Sequence, residues 1–121
     1  MSAKESENAV RSLLYREFDQ SFEERELEVG EKVNGETAKK KFDAVSKDGA
    51  IIAMVKDYSA INLNGNRTRL ARVFQDMVYL HLAPNADHKY LFLSPAFYEW
   101  FAEVRDGSVI PGVEVRCIPR I

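Results

Sequence analysis

Apolar positions along this chain change their period repeatedly, and the changes divide it into eight segments. In SENAVRSLLYREFDQ, Val10, Leu13, Leu14 and Phe18 recur at helical spacing after Ser6, a candidate cap. From Glu26 to about Val33, ELEVGEKV alternates polar and apolar residues, the period of a half-buried strand, with Asn34-Gly35 as a turn. Lys41 to Ser46 and Ala50 to Tyr58 read as a second and third strand joined at Asp48-Gly49. The near-continuous apolar run IIAMV marks the third as a central strand covered on both faces.

After a polar loop at Asn62 to Asn66, RTRLARVFQDMVYLHLA places Leu70, Val73, Phe74, Met77, Val78 and Leu80 on a second helix that ends before Pro84. KYLFLS is a short strand. PAFYEWFAEV is an aromatic-rich helix opened by Pro95 and halted by Asp106-Gly107, and VEVRCI is a last strand. The order α-β-β-β-α-β-α-β predicts an α/β protein with a mixed sheet. It should be antiparallel where hairpins join strands one to three, and parallel where the second helix crosses over. Helices should cover both faces, with strands two and three at the centre, where a charged group must be hydrogen-bonded or do chemistry.

With 45% hydrophobic and 30% charged residues in 121, the composition is that of one soluble domain spanning 1–121. A chain of this length buries roughly two-thirds of its unfolded surface, so it needs no disulfide or structural metal. The single Cys117 reads as a buried small hydrophobe, and the two histidines form no zinc-ligand spacing, so a reducing cytoplasmic setting is expected. No apolar run approaches the thickness of a bilayer, the N-terminus MSAKESENAV is polar, and no membrane partner is expected. A net charge of −2 gives no overall attraction to nucleic acid. Such contacts would fall to local clusters, Lys39 to Lys41 and Arg67, Arg69 and Arg72, whose ordinary reading is a solvated face.

Two charges stand out in the central hairpin, Asp43 between Phe42 and Ala44, and Lys56 at the end of IIAMVK. If Asp48-Gly49 is a two-residue loop, Asp43 falls opposite Met54 and shares a face with Lys56; if Lys47-Asp48-Gly49 is a three-residue loop with a bulge, Asp43 shares its face with Val55 and Asp57. The ordinary account is a cross-strand ion pair. Glu7 sits at the edge of the first helix's apolar stripe, with Glu17 as a rival for that place. Arg72, Gln75 and Tyr79 line one flank of the second helix.

The helix, the three strands led by FDAVSKDGAIIAMVK, and the helix and strand that follow resemble the PD-(D/E)xK nuclease superfamily, over roughly Glu7 to Ser94. The resemblance implies a restriction-endonuclease-like α-β-β-β-α-β core, here with an added C-terminal helix and strand. It implies metal-dependent hydrolysis of DNA phosphodiesters, with Mg²⁺ or Mn²⁺ held by Asp43, Glu7 and the Val55 carbonyl, and Lys56 beside the developing charge. It also makes Gln75 and Tyr79, in a Q-x-x-x-Y spacing, and Arg67, Arg69 and Arg72 candidate DNA contacts. Met54 departs from the pattern, since the family's second acid belongs there and a thioether does not bind Mg²⁺. Asp57 or Asp76 could stand in for it. Alternatively the same fold serves as a catalytically inactive nucleic-acid-binding or protein-interaction module. A homodimer or partner subunit is expected to help with target recognition, because so small a domain has little surface for reading sequence.

Overall fold

The computed structural model describes residues 2–58, 66–105 and 109–119. Eight elements follow in the expected order: α1 (Ala3–Phe18), β1 (Phe22–Glu31), β2 (Thr37–Ser46), β3 (Ile51–Lys56), α2 (Asn66–Leu82), β4 (His88–Leu93), α3 (Pro95–Arg105) and β5 (Val113–Cys117). Most of the expected 62–66 loop, together with Asp106 and Gly107, lies outside the described residues.

The strands form one mixed sheet in the order β1-β2-β3-β4-β5, antiparallel from β1 to β3 and parallel from β3 to β5. A parallel pair needs a crossover, and α2 and α3 supply the two that this order requires. The middle strand is β3 alone, and its residues Ile51 to Met54 are all buried. The expectation that the second strand shares the centre is corrected. Only β1 accompanies β2 beyond Ala44, so Thr37 to Lys41 form the outer part of a two-stranded ribbon and alternate between exposed and half-buried.

The sheet is covered on both faces. On one side α1 sets Val10 and Leu14 against Ala44, Ile51, Ala53 and Phe92; full burial of side chains of this kind contributes about 1.5–3 kcal/mol each. On the other, Val73, Met77 and Leu80 of α2 and Phe97 and Phe101 of α3 pack on Val45, Ile52, Met54 and Leu91.

Two local expectations fail for identifiable reasons. The cap of α1 is Ser2, not Ser6: Glu5 N–H donates to Ser2 Oγ at 3.2 Å and Ser2 N–H to Glu5 Oε1 at 3.5 Å, a reciprocal capping box written in SAKE. Ser6 is then free for another task, taken up below. Cys117 is exposed, because it ends β5, an edge strand.

The register of β2 on β3, Ala44 opposite Ala53 and Val45 opposite Ile52, has the offset of a two-residue Asp48-Gly49 loop, but the strands part at Ser46 and Ile51 and the turn closes one residue earlier, around Lys47-Asp48. Gly49 takes φ +76 and donates its N–H to Ser46 O, while Asp48 accepts from Ser46 Oγ at 2.7 Å and Ala50 N–H at 3.0 Å. The register of β1 on β2 holds a surprise. Glu23 faces Val45 but Arg25 faces Phe42, so Glu24 stands against two residues, Asp43 and Ala44. This is a β-bulge, and it lets Phe42 and Val45 both point toward α2 although they are three positions apart, an odd offset that would put them on opposite faces of a regular strand.

Candidate active site

The bulge decides where Asp43 goes. Its carboxylate accepts the Val55 N–H at 2.8 Å, filling a place that a β2 carbonyl would otherwise take in the ladder. It also meets Glu7 of α1 and Glu24 of β1, and one oxygen from each of the three acids lies within 4.8 Å of the others. Arg11 holds the bulge from the α1 side, donating from Nη1 to Asp43 O at 2.7 Å and from Nη2 to Asn8 Oδ1 at 2.7 Å. In an extended strand the N–H and C=O of one residue leave toward the same edge, so the Val55 carbonyl is also directed to β2.

Burial raises the Asp43 pKa most strongly. The Val55 N–H opposes that rise and Glu7 adds to it, leaving the carboxyl pushed up to about 6. Lys41 lies 3.3 Å from Glu24, but both groups are largely exposed to water, and the charge of Lys56 reaches Asp43 and draws its pKa down a little.

Lys56 goes elsewhere. By alternation from Ile52 and Met54 it belongs to the α2 side, and there its ammonium lies 2.9 Å from Asp76 Oδ2. Asp76 is only 3% exposed. Its Oδ2 has this charge beside it but no aligned hydrogen bond, so the pair is held by proximity more than by direction. Burial raises the Asp76 pKa and the Lys56 charge only partly offsets it. For Lys56 burial acts downward, but the close contact and charge of Asp76 outweigh it and the ammonium is held more firmly protonated. The cross-strand Asp43–Lys56 ion pair of the ordinary account is therefore replaced by two separate groupings.

The remaining candidates divide in the same way. Met54 is buried in the core with Ile52 and Val73, on the side away from the three carboxylates. Asp57, a candidate replacement acid, accepts a short hydrogen bond from the buried Ser6 hydroxyl, which ties the end of β3 to α1. If Asp57 took the acid's place, the lysine two residues further on would fall at Ser59, which lies outside the described residues. On α2, Arg67 and Arg72 are exposed, while the Arg69 guanidinium sits 5.0 Å above the Tyr58 ring. Gln75 Nε2 donates to Tyr79 OH at 3.5 Å.

Glu24 is the site residue that inspection of the sequence misses. It is one of five acids in the run FEERELEVGE, and nothing in that run distinguishes it. Only the bulge on the neighbouring strand, unmarked by glycine or proline in FDAVS, brings Asp43 beside it. Comparisons with protein-family models, curated proteins and solved structures yield no match to this chain. Among the described residues no helix is long and apolar enough to cross a membrane.

Proposed function

We propose that this chain is a divalent-metal-dependent phosphodiester hydrolase of the PD-(D/E)xK kind, acting on DNA. The observation that carries the proposal is the convergence of Glu7, Glu24 and Asp43, from a helix and two strands, within 4.8 Å. Like charges held so close repel one another, and a hard cation relieves the repulsion. All three donors are carboxylate oxygens, the ligand type that Mg²⁺ and Mn²⁺ prefer, and Glu24 restores the acid that Met54 withholds. The Val55 carbonyl is a fourth oxygen on the same edge. Such a cation, when bound, polarises a phosphodiester oxygen and lowers the pKa of a coordinated water.

The chain's own residues supply the rest. Lys56 stands at the carboxyl end of the central strand, kept charged by Asp76 on the α2 side, and because its charge reaches Asp43 it offers positive charge beside the carboxylates, where the transition state would gather negative charge. Asp76 acts through Lys56 and is a positioning residue. Arg69 lies at the same end of β3, over Tyr58, where phosphates of a bound strand would be met. The second reading, a non-catalytic module with this fold, is favoured by the same Lys56–Asp76 pair, because an ammonium already neutralised gives less to a substrate.

Calorimetric titration with Mn²⁺, alongside cleavage of supercoiled and single-stranded DNA, separates the two. Asp43→Asn and Glu24→Gln are expected to weaken Mn²⁺ binding at least about ten-fold. Lys56→Met should keep the metal and lose about 10²–10³-fold in cleavage. Wild-type protein that binds Mn²⁺ without cutting identifies the non-catalytic module. Cleavage that survives Asp43→Asn, or a wild type that binds no metal, rejects the proposed site.

A further inference from the structure

The α2 side of the sheet carries a second feature that the three carboxylates do not use. Lys40 of β2 places its ammonium 5.1 Å from the centre of the Tyr79 ring, and Gln75 fixes the Tyr79 hydroxyl from one turn back. The charge of Lys40 reaches Asp76, which also faces Lys56. At the far end, Arg69 covers Tyr58, whose N–H and C=O are both tied to the Ser94 hydroxyl, at 3.1 and 2.8 Å. Lys40, Lys56 and Arg69 thus form a row along the end of the sheet, each cation held by a ring or a carboxylate.

We propose that this row, Lys40, Lys56 and Arg69 with Arg72 at its rim, is a phosphate track for a single nucleic-acid strand. A cation resting on an aromatic face keeps its charge but loses little further freedom when a phosphate arrives, so the track is preorganised. All three cations are half-buried, not projecting. A stiff duplex is contacted by protruding side chains, whereas recessed charges suit a flexible single strand that can follow a groove. The flanking ribbon argues in the same direction, because Glu26, Glu28 and Glu31 of β1 and a net charge of −2 disfavour a broad polyanionic surface. The track deepens the proposed function by naming its substrate as a single-stranded or frayed end, yet it binds without any metal.

Fluorescence anisotropy in EDTA tests it, using labelled oligo-dT, oligo-rU and a matched DNA duplex at several salt concentrations. Both single strands are expected to bind more tightly than the duplex, and the dT and rU arms show whether the sugar matters. Lys40→Gln and Arg69→Gln should each weaken single-strand binding about five- to ten-fold and lower the salt slope by about 0.7. Lys40→Arg should restore binding, and Lys32→Gln at the exposed hairpin tip should change nothing. Circular dichroism checks that each variant is folded. A duplex bound as tightly as the single strands, or Lys40→Gln and Arg69→Gln that are folded and bind like wild type, overturns the track. Because metal is absent from these measurements, that failure is distinct from a failure of Mn²⁺ to bind at Glu7, Glu24 and Asp43.

Discussion

Asp43 and Asp76 flank the same strand end and both have raised pKa values, first of all through burial, yet their surroundings are opposite. Asp43 gathers two more acids on the α1 side, and Asp76 gathers Lys56 and the field of Lys40 on the α2 side. The Asp76 grouping is internally compensated, its carboxylate matched by Lys56. The Asp43 grouping gathers three acids, and the proposed metal site rests on that excess of negative charge.

The largest effect is expected from Met54→Glu. Placing a carboxylate among Ile52, Val73 and Met77 should cost about 3 kcal/mol in urea unfolding, and, being on the wrong side, should not tighten Mn²⁺ binding. A stable Met54→Glu with improved metal affinity would erase the division between the two sides.

Next comes the metal itself. Mn²⁺ at 100 times its Kd should stabilise the wild type by about 2.7 kcal/mol at pH 7.5, seen as a higher Tm. The gain should shrink below pH 6, where Asp43 takes up its proton. A gain of equal size at pH 5 would place the ion elsewhere.

Asp76→Ala is expected to destabilise by about 2 kcal/mol. That is less than a fully buried ion pair would lose, because the Lys56 side chain stays 29% exposed to water. Asp43→Asn should act with the opposite sign in metal-free protein. The folded-state pKa of Asp43, about 6, lies above its unfolded value of 3.8, so native protein binds more protons in that window and stability falls as pH rises through it. Removing the charge should therefore stabilise at pH 7.5 by on the order of 1 kcal/mol and make little difference near pH 3. If chemical denaturation shows Asp43→Asn losing stability at pH 7.5, the hydrogen bond to Val55 outweighs the repulsion and the contrast between the two aspartates weakens.

Much of the fold was legible because periodicity reports burial directly. The apolar run of β3, the helical stripe of α2 and the Asp48-Gly49 turn all place their residues as the pattern implies. Asp43, Glu7 and Lys56 were legible as charges beside buried surface, but their grouping was not. Counting outward from the turn puts Asp43 on the face of Lys56 only if the ladder stays regular, and the bulge at Asp43-Ala44 breaks that count within two residues. Bulges of this kind need no glycine, so FDAVS carries no mark of one. The same event hid Glu24, whose role depends on a neighbour across the sheet. Ser2 is legible as the first residue of S-x-x-E, although Ser6 stands nearer the apolar stripe.

The bulge also constrains how this chain can change. Each side of the outer ribbon keeps its identity because the bulge absorbs one extra residue between Val45 and Phe42. Deleting Ala44 would close the bulge: Phe42 and Val45, then two positions apart, would keep their shared face, but Asp43 would fall into the regular ladder and leave the place where its carboxylate accepts the Val55 N–H and meets Glu7 and Glu24. Length at this point therefore matters to the three acids more than to the core, while the tip at Val33, fully exposed, is free to grow or shrink.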